Sequence, residues 1–195
     1  MGFPSVLTMA QRWVAERLRP GAAAVDATAG NGVDTLFLAR TAGPRGRVFA
    51  FDVQPEALAR TRDRLNAARA GGERLAGVEL LCAGHERMAE YIPAELHGRI
   101  GAVMFNLGYL PGGDTSVITR PDTTLPALET ALRLLAPGGV LTAVLYPGHP
   151  GGDEEARAVE RWMAALPAAA AQAVLYRFPQ RETSPYLAAL EKRNA

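Results

Sequence analysis

Val25-Asp26-Ala27-Thr28-Ala29-Gly30-Asn31-Gly32-Val33-Asp34-Thr35, followed by Phe49-Ala50-Phe51-Asp52, decides the fold. A short apolar run enters a glycine turn, and a helical pattern begins at once. A second apolar run then ends in an acid, Asp52, about 20 positions beyond Gly32. That is the layout of a nucleoside-binding βαβ unit. The glycine turn lets a ligand approach the backbone, and the distant acid grips a ribose.

The match to the dinucleotide fingerprint is incomplete. The series runs Gly30-x-Gly32-x-x-Thr35, so the third glycine is missing. Asp34 sits near the helix start, where a pyrophosphate would have to lie. A carboxylate there repels a diphosphate and attracts a cation. S-adenosylmethionine (SAM) carries adenosine, a ribose diol, a cationic amino group and no phosphate. The turn is therefore expected to bind SAM rather than a nicotinamide dinucleotide, with Asp26, Gly30, Asn31, Gly32, Asp34 and Thr35 around the cofactor. Asp52 is expected on the ribose and Gln54 beside it.

With 195 residues, 48% of them hydrophobic, the chain is expected to form one domain over 1–195 with a full core. A net charge of +1 excludes a strongly basic nucleic-acid coat protein but leaves room for an RNA enzyme with a local basic face. One cysteine, Cys82, permits neither an internal disulfide nor a cysteine zinc cluster, and cytoplasm is the natural compartment. Cys82 is expected to be a small buried apolar residue. No apolar run reaches the roughly 18 residues of a membrane span, so no membrane partner is expected. The start of the chain does not read as a signal peptide.

Periodicity and breakers predict a helix over about 5–19 packing on the sheet, a strand Val25–Thr28, a helix 34–42 and a strand Arg47–Phe51. A helix from Pro55 to about Ala70, a strand Val78–Cys82, a short helix 86–91 and a strand Ile100–Phe105 follow. An irregular stretch 107–121 leads to a helix 123–136, a turn Pro137-Gly138-Gly139 and a strand Val140–Tyr146. A glycine-rich loop 147–152, a helix about 153–165 and strands Ala173–Arg177 and Tyr186–Leu190 complete the order. Leu187-Ala188-Ala189-Leu190 also suits a helix. Alternating strands and helices predict an α/β fold: a Rossmann-like, seven-stranded, mostly parallel sheet with helices on both faces. The last strand should be antiparallel, because residues 177–186 are too few for a crossover helix.

Ligands in such sheets bind beyond the carboxyl ends of the strands. Five of those ends carry small or polar groups: Asp26 to Gly32, Asp52 to Gln54, Gly84-His85-Glu86, Asn106 to Asp114, and Tyr146 to Gly152. Asn106-Leu107-Gly108-Tyr109 resembles the tetrapeptide with which amino-methylating enzymes take a target amine, but lacks its two central prolines. Asn106 would orient the amine and also border the cofactor, and Tyr109 would stack on a base. His149 could serve as a general base, orient RNA phosphate, or cap a turn. Asp153-Glu154-Glu155 reads as a helix start, and no histidine pattern completes a metal site. Arg120, Arg177, Arg181, Lys192 and Arg193 could meet RNA phosphates or form a solvated basic surface.

Three stretches together resemble a known group. They are Asp26-Ala27-Thr28-Ala29-Gly30-Asn31-Gly32-x-Asp34-Thr35, Asn106-Leu107-Gly108-Tyr109-Leu110-Pro111-Gly112-Gly113-Asp114, and Tyr146-Pro147-Gly148-His149-x-Gly151-Gly152-x-Glu154-Glu155. The group is the small SAM-dependent enzymes labelled rRNA methylases, which include bacterial tRNA 5-(aminomethyl)-2-thiouridine methyltransferases. The resemblance implies a class I SAM-dependent methyltransferase fold and, as substrate, the aminomethyl nitrogen of a modified wobble uridine in the tRNA anticodon. It implies that Asn31, Asp34, Asp52 and Gln54 contact SAM, that His85 lies beside the adenine or else caps a surface turn, and that Asn106 and Tyr109 frame the target. A methyltransferase for rRNA, another RNA or a small molecule, and a non-catalytic SAM-binding protein, remain alternatives. A dehydrogenase is disfavoured by Asp34 and by the absent third glycine. A homodimer stays open.

Overall fold

The computed structural model describes residues 2–109, 112, 117–181 and 183–193. Its elements run α1 (Val6–Ala15), β1 (Ala23–Asp26), α2 (Val33–Ala42), β2 (Arg47–Asp52), α3 (Pro55–Ala70) and β3 (Gly77–Cys82). Then come α4 (Met88–Tyr91), β4 (Ile100–Leu107), α5 (Pro121–Leu134), β5 (Leu135–Leu145), α6 (Gly152–Ala165), β6 (Ala171–Tyr176) and β7 (Tyr186–Lys192). Short 3₁₀ turns at His85–Arg87 and Ala94–Leu96 flank α4. The sheet order is β3-β2-β1-β4-β5-β7-β6. The first five strands are mutually parallel, and β7 runs antiparallel to both of its neighbours.

Strand periodicity sorts the core into two layers. Ala24, Val48, Ala102, Met104, Val144 and Leu187 pack against α1, α2 and α3. Val25, Phe49, Phe51, Val103, Phe105 and Leu141 face α4, α5 and α6. The central strands are buried on both faces, which is why they read as unbroken apolar runs rather than alternating ones.

Several expected boundaries move. α1 ends at Ala15 rather than near 19, after a Ser5 cap whose hydroxyl accepts the Thr8 N–H at 3.2 Å. The first strand begins at Ala23 and ends at Asp26, so Ala27 and Thr28 already belong to the turn. β4 continues through Asn106 to Leu107, because those residues keep pairing with Val144 and Leu145. Proline opens α5 at Pro121, two residues early, as it does at the start of α3. The expected turn 137–139 lies inside β5, where pairing with β4 slips between Leu135 and Val140. The 187–190 stretch is strand, not helix, since it inserts between β5 and β6. Cys82 is exposed, contrary to expectation. It ends β3, the bare edge of the sheet, and its thiol reaches the Val53 carbonyl at 3.7 Å.

The sheet reverses its winding between β1 and β4, and a crevice opens beyond their carboxyl ends. Each of the five strand ends named above contributes described residues to this crevice. Leu110, Pro111, Gly113 and Asp114 of the 106–114 stretch lie outside the described residues.

Candidate functional site

The crevice is a cavity of about 790 Å³. The β1–α2 turn lines one side of it with Gly30, Asn31 and Asp34, joined by Asp52, Gln54 and His85. Asn106, Tyr109 and His149 line the other. Asp26, Gly32 and Thr35 are not part of its wall. They stand behind it and hold the turn in shape.

Asp26 is wholly buried. One carboxyl oxygen accepts the Thr35 hydroxyl at 2.6 Å and the other the Thr28 N–H at 3.2 Å. Burial, reinforced by the neighbouring Asp34, pushes its pKa up to about 7 against the pull of those two hydrogen bonds. Gly32 takes φ +76°, and a Cβ there would come within 2.8 Å of the Thr61 Cα. Its glycine is thus required by the approach of α3, not by a ligand.

Asp52 ends β2 with both oxygens facing the turn. Oδ2 accepts the Gly30 N–H and Oδ1 the Gln54 N–H, each at 2.9 Å. Each oxygen keeps a lone pair, which suits the two hydroxyls of a ribose. Gln54 contributes this backbone group and borders the cavity, but no cap comes from its side chain. His85 is buried, packed edge-on against Phe105 at 5.6 Å, and burial lowers its pKa, so the neutral ring is favoured.

Asp34 joins three elements. Its Oδ1 accepts Gln11 Nε2 of α1 at 2.8 Å, and its Oδ2 accepts Asn106 Nδ2 of β4 at 2.6 Å. A carboxylate only accepts, so this contact orients the Asn106 amide with its nitrogen towards Asp34. Asn106 Oδ1 is then left buried with no donor among the described residues. Tyr146, at the end of β5, is half-buried, and its phenol pKa is raised by burial and by Asp34.

His149 is held in a similar way. Its Nδ1 lies 3.0 Å from the Pro150 carbonyl, which only accepts, so Nδ1 carries a proton and Nε2 is the acceptor of the neutral ring. Nε2 is buried and also without a partner among the described residues. The ring fits because Gly152 has no side chain: a Cβ there would strike the Tyr146 carbonyl and come within 2.9 Å of Nε2. Tyr109 meets this ring edge-on, with centroids 5.9 Å apart. It is held by a bridge to Ile118 and by the Thr119 N–H donated to the Gly108 carbonyl at 2.9 Å.

Motif reading missed four contributors. Gln11 and Leu7 come from α1, which carries no motif. Arg60 reaches the turn from α3, donating to Asn31 Oδ1 at 3.2 Å. Glu155 lies in the first turn of α6 with Asp153 and Glu154, as expected, but it has a second role that the sequence did not show. It is buried, accepting the Thr119 hydroxyl at 2.8 Å and the Thr124 hydroxyl at 2.6 Å. Burial raises its pKa against those two bonds. It ties the segment before α5 to α6.

The basic residues divide. Arg120 borders the cavity, and Arg177 lies over the Tyr186 ring at the same end of the sheet. Lys192 lies at the far end of β7, donating to the Arg133 and Leu135 carbonyls, and Arg193 there reaches Gln172. No group of three or more His, Cys, Asp or Glu side chains is arranged for a metal ion among the described residues, and no described helix is long and apolar enough to cross a membrane.

Residues 48–191 match the model of a family described as "Putative rRNA methylase". A curated Arabidopsis thaliana protein, chloroplastic tRNA (mnm(5)s(2)U34)-methyltransferase, is 39% identical over 181 residues. Those residues are 90% of this chain and 65% of that protein, so the chain spans just under two thirds of its length. A Clostridium thermocellum crystal structure carrying the same description as the family superposes with a TM-score of 0.89 at 37% identity, covering 98% of this chain and all of that one. A Streptococcus mutans protein crystallised in complex with SAH gives 0.84 at 34% identity, covering 98% and 99%.

Proposed function

The chain belongs to the family described as "Putative rRNA methylase", and on that premise we propose that it is a SAM-dependent N-methyltransferase acting on RNA. We assign as its substrate the aminomethyl group of 5-aminomethyl-2-thiouridine at the tRNA wobble position. The cofactor assignment is supported by the SAH complex of the Streptococcus mutans relative, and the substrate by the activity in the name of the Arabidopsis relative. The observation that carries the reading is the Asn106 amide. It is oriented by Asp34 on the cofactor side and leaves a buried, unpartnered acceptor in a residue that lines the same cavity.

The residues fit both reactants. Asp52 offers paired acceptors to the ribose, and neutral His85 an apolar ring face to the adenine. The Asp34 carboxylate suits the amino group and disfavours a diphosphate. When bound, the cofactor supplies a methyl group to a nucleophile. The chain's part is to hold an amine ready for it. An unpaired buried acceptor costs about 1–3 kcal/mol, which an arriving N–H donor recovers. Asn106 Oδ1 thus favours an amine over a group with no hydrogen to give. The amine attacks only as its free base, so a proton must leave it first. His149 Nε2, buried without a partner among the described residues in a side chain that lines the same cavity, is our candidate to take that proton from the neutral ring. Tyr109 at the rim offers a face to the uracil ring, which an anticodon loop presents unstacked more readily than a duplex does. Arg120 and Arg177 would meet phosphates around the same opening. The cytoplasm suits the single cysteine and an RNA substrate.

The test is methyl transfer to tRNA carrying the aminomethyl nucleoside, read by mass spectrometry of digested nucleosides against rRNA and metabolite controls. A methyl gained on the wobble uridine is expected, and methylation confined to rRNA or to a metabolite would refute the substrate. Asn106→Ala should lower kcat by about tenfold or more, the worth of one buried hydrogen bond. Unchanged turnover would remove Asn106 from the reaction.

A further inference from the structure

Glu155 is only 2% exposed, and no ion pair balances its charge among the described residues. Its carboxylate instead accepts two hydroxyls, Thr119 on Oε2 at 2.8 Å and Thr124 on Oε1 at 2.6 Å. The two threonines stand on either side of the Pro121 start of α5. Thr119 also donates its N–H to the Gly108 carbonyl at 2.9 Å, and its neighbour Ile118 bridges Tyr109. Ile118 packs towards α6 as well: a Cβ added to Gly151 would sit 3.8 Å from its Cδ1. A chain of direct contacts therefore runs from Glu155 through Thr119 and Ile118 to Tyr109, which lines the cavity and is 47% exposed.

Packing alone does not call for an acid here. A carboxylate out of water and without a cation is costly, and an apolar side chain would fill the same space at less cost. What the acid adds is two acceptors on one rigid group. Two hydroxyls held at once fix the direction of a segment as well as its position, whereas apolar contact is non-directional. Tyr109 needs that direction. Its ring meets His149 edge-on at 5.9 Å, and a base stacks only on a face held at a set angle. His149 has supports of its own in the Pro150 carbonyl and the niche at Gly152.

We propose that Glu155 is a positioning residue that sets the Tyr109 ring for the incoming base by anchoring the 118–119 segment to α6. It stands behind the cavity wall, of which Tyr109, Ile118 and Thr119 are part. This rests on the assignment of Tyr109 to a base of the RNA substrate. Loss of the anchor weakens RNA binding more than it slows the chemical step, because Asn106 and His149 are held by other groups.

Two measurements test this, the first without RNA. In Glu155→Ala, hydrogen exchange of the amide at 119, followed by NMR, should quicken by about fivefold or more, the worth of one net hydrogen bond, while the 27–36 amides and the Kd for SAH hold. In methyl transfer the KM for tRNA should rise about tenfold, as for one lost base stack, with kcat lowered by less than about threefold. Glu155→Gln offers an oxygen to one threonine and an amide N–H to the other, and should bring exchange and KM back to within about threefold of the wild type. Thr119→Val keeps the shape but loses the hydroxyl, and should reproduce both changes even if Glu155→Ala fails to fold. Unchanged exchange at 119, an unchanged KM, a loss of kcat or of SAH affinity as large as the rise in KM, or no recovery in Glu155→Gln overturns the proposal. A wrong RNA substrate would instead abolish transfer by the wild type and leave the exchange result standing.

Discussion

Replacing Asp26 with asparagine should make stability less sensitive to pH. The Asp26 carboxyl is held wholly out of water beside Asp34, and its pKa stands at about 7 against an ordinary 3.8. The folded chain therefore keeps a proton that the unfolded chain has already released between about pH 4 and 7. Stability is greatest below pH 4, falls as pH rises through that window, and levels off above the folded value. A displacement of about three on the pH scale, at about 1.4 kcal/mol for each, amounts to about 4 kcal/mol. Asparagine has nearly the same shape and never ionises. Its oxygen can keep the Thr28 N–H, and its amide can donate to the Thr35 hydroxyl. Between pH 5 and pH 8 the stability of Asp26→Asn relative to wild type should rise by about 3 kcal/mol. Other titrating groups are common to both proteins and cancel to first order. Urea unfolding at the two pH values, followed by the fluorescence of Trp13 and Trp162, measures the difference. Parallel pH profiles for the two proteins would show that Asp26 is ionised throughout and would refute the reasoning.

Asp52→Ala removes the acceptors for the Gly30 and Gln54 N–H groups together with those proposed for the ribose. SAH affinity by calorimetry should fall about tenfold or more, and an unchanged value would displace the ribose from Asp52. Gly152→Ala drives a methyl group into the Tyr146 carbonyl and the His149 ring. It should cost about 1–3 kcal/mol in denaturant unfolding, and a loss below about 0.5 kcal/mol would mean that the niche yields freely.

The fold was legible because its strands are short apolar runs separated by strong breakers. Gly43-Pro44, Pro55 and Gly71-Gly72 set the ends of α2 and α3 to within a residue. What failed locally was decided by distant partners. Asn106 stays in β4 because β5 continues beside it, and Leu187–Leu190 is a strand because β6 supplies its other neighbour. Cys82 is exposed because β3 lies at the sheet edge, which its apolar neighbours do not reveal. The candidate cavity was legible in its glycines and strand-end polar groups, since those must lie near their own strands. Gln11, Arg60 and Glu155 were not. Each acts from a helix on residues distant in the chain, among them Asp34, Asn31 and Thr119 respectively, and no spacing along the chain encodes such contacts.

The placement of α1 joins an early segment of the chain to a late one. This helix carries Leu7 and Gln11 to the cavity and packs on β5 and β7, and its flanks are tied to the last two strands: Arg17 pairs with Glu191 of β7 at 2.6 Å, and the Tyr176 hydroxyl of β6 donates to the Pro4 carbonyl. The segment around α1 is therefore held in part by one made more than 170 residues later. The closing hairpin, the last part of the sheet to be made, completes the seat of a helix that lines the cavity.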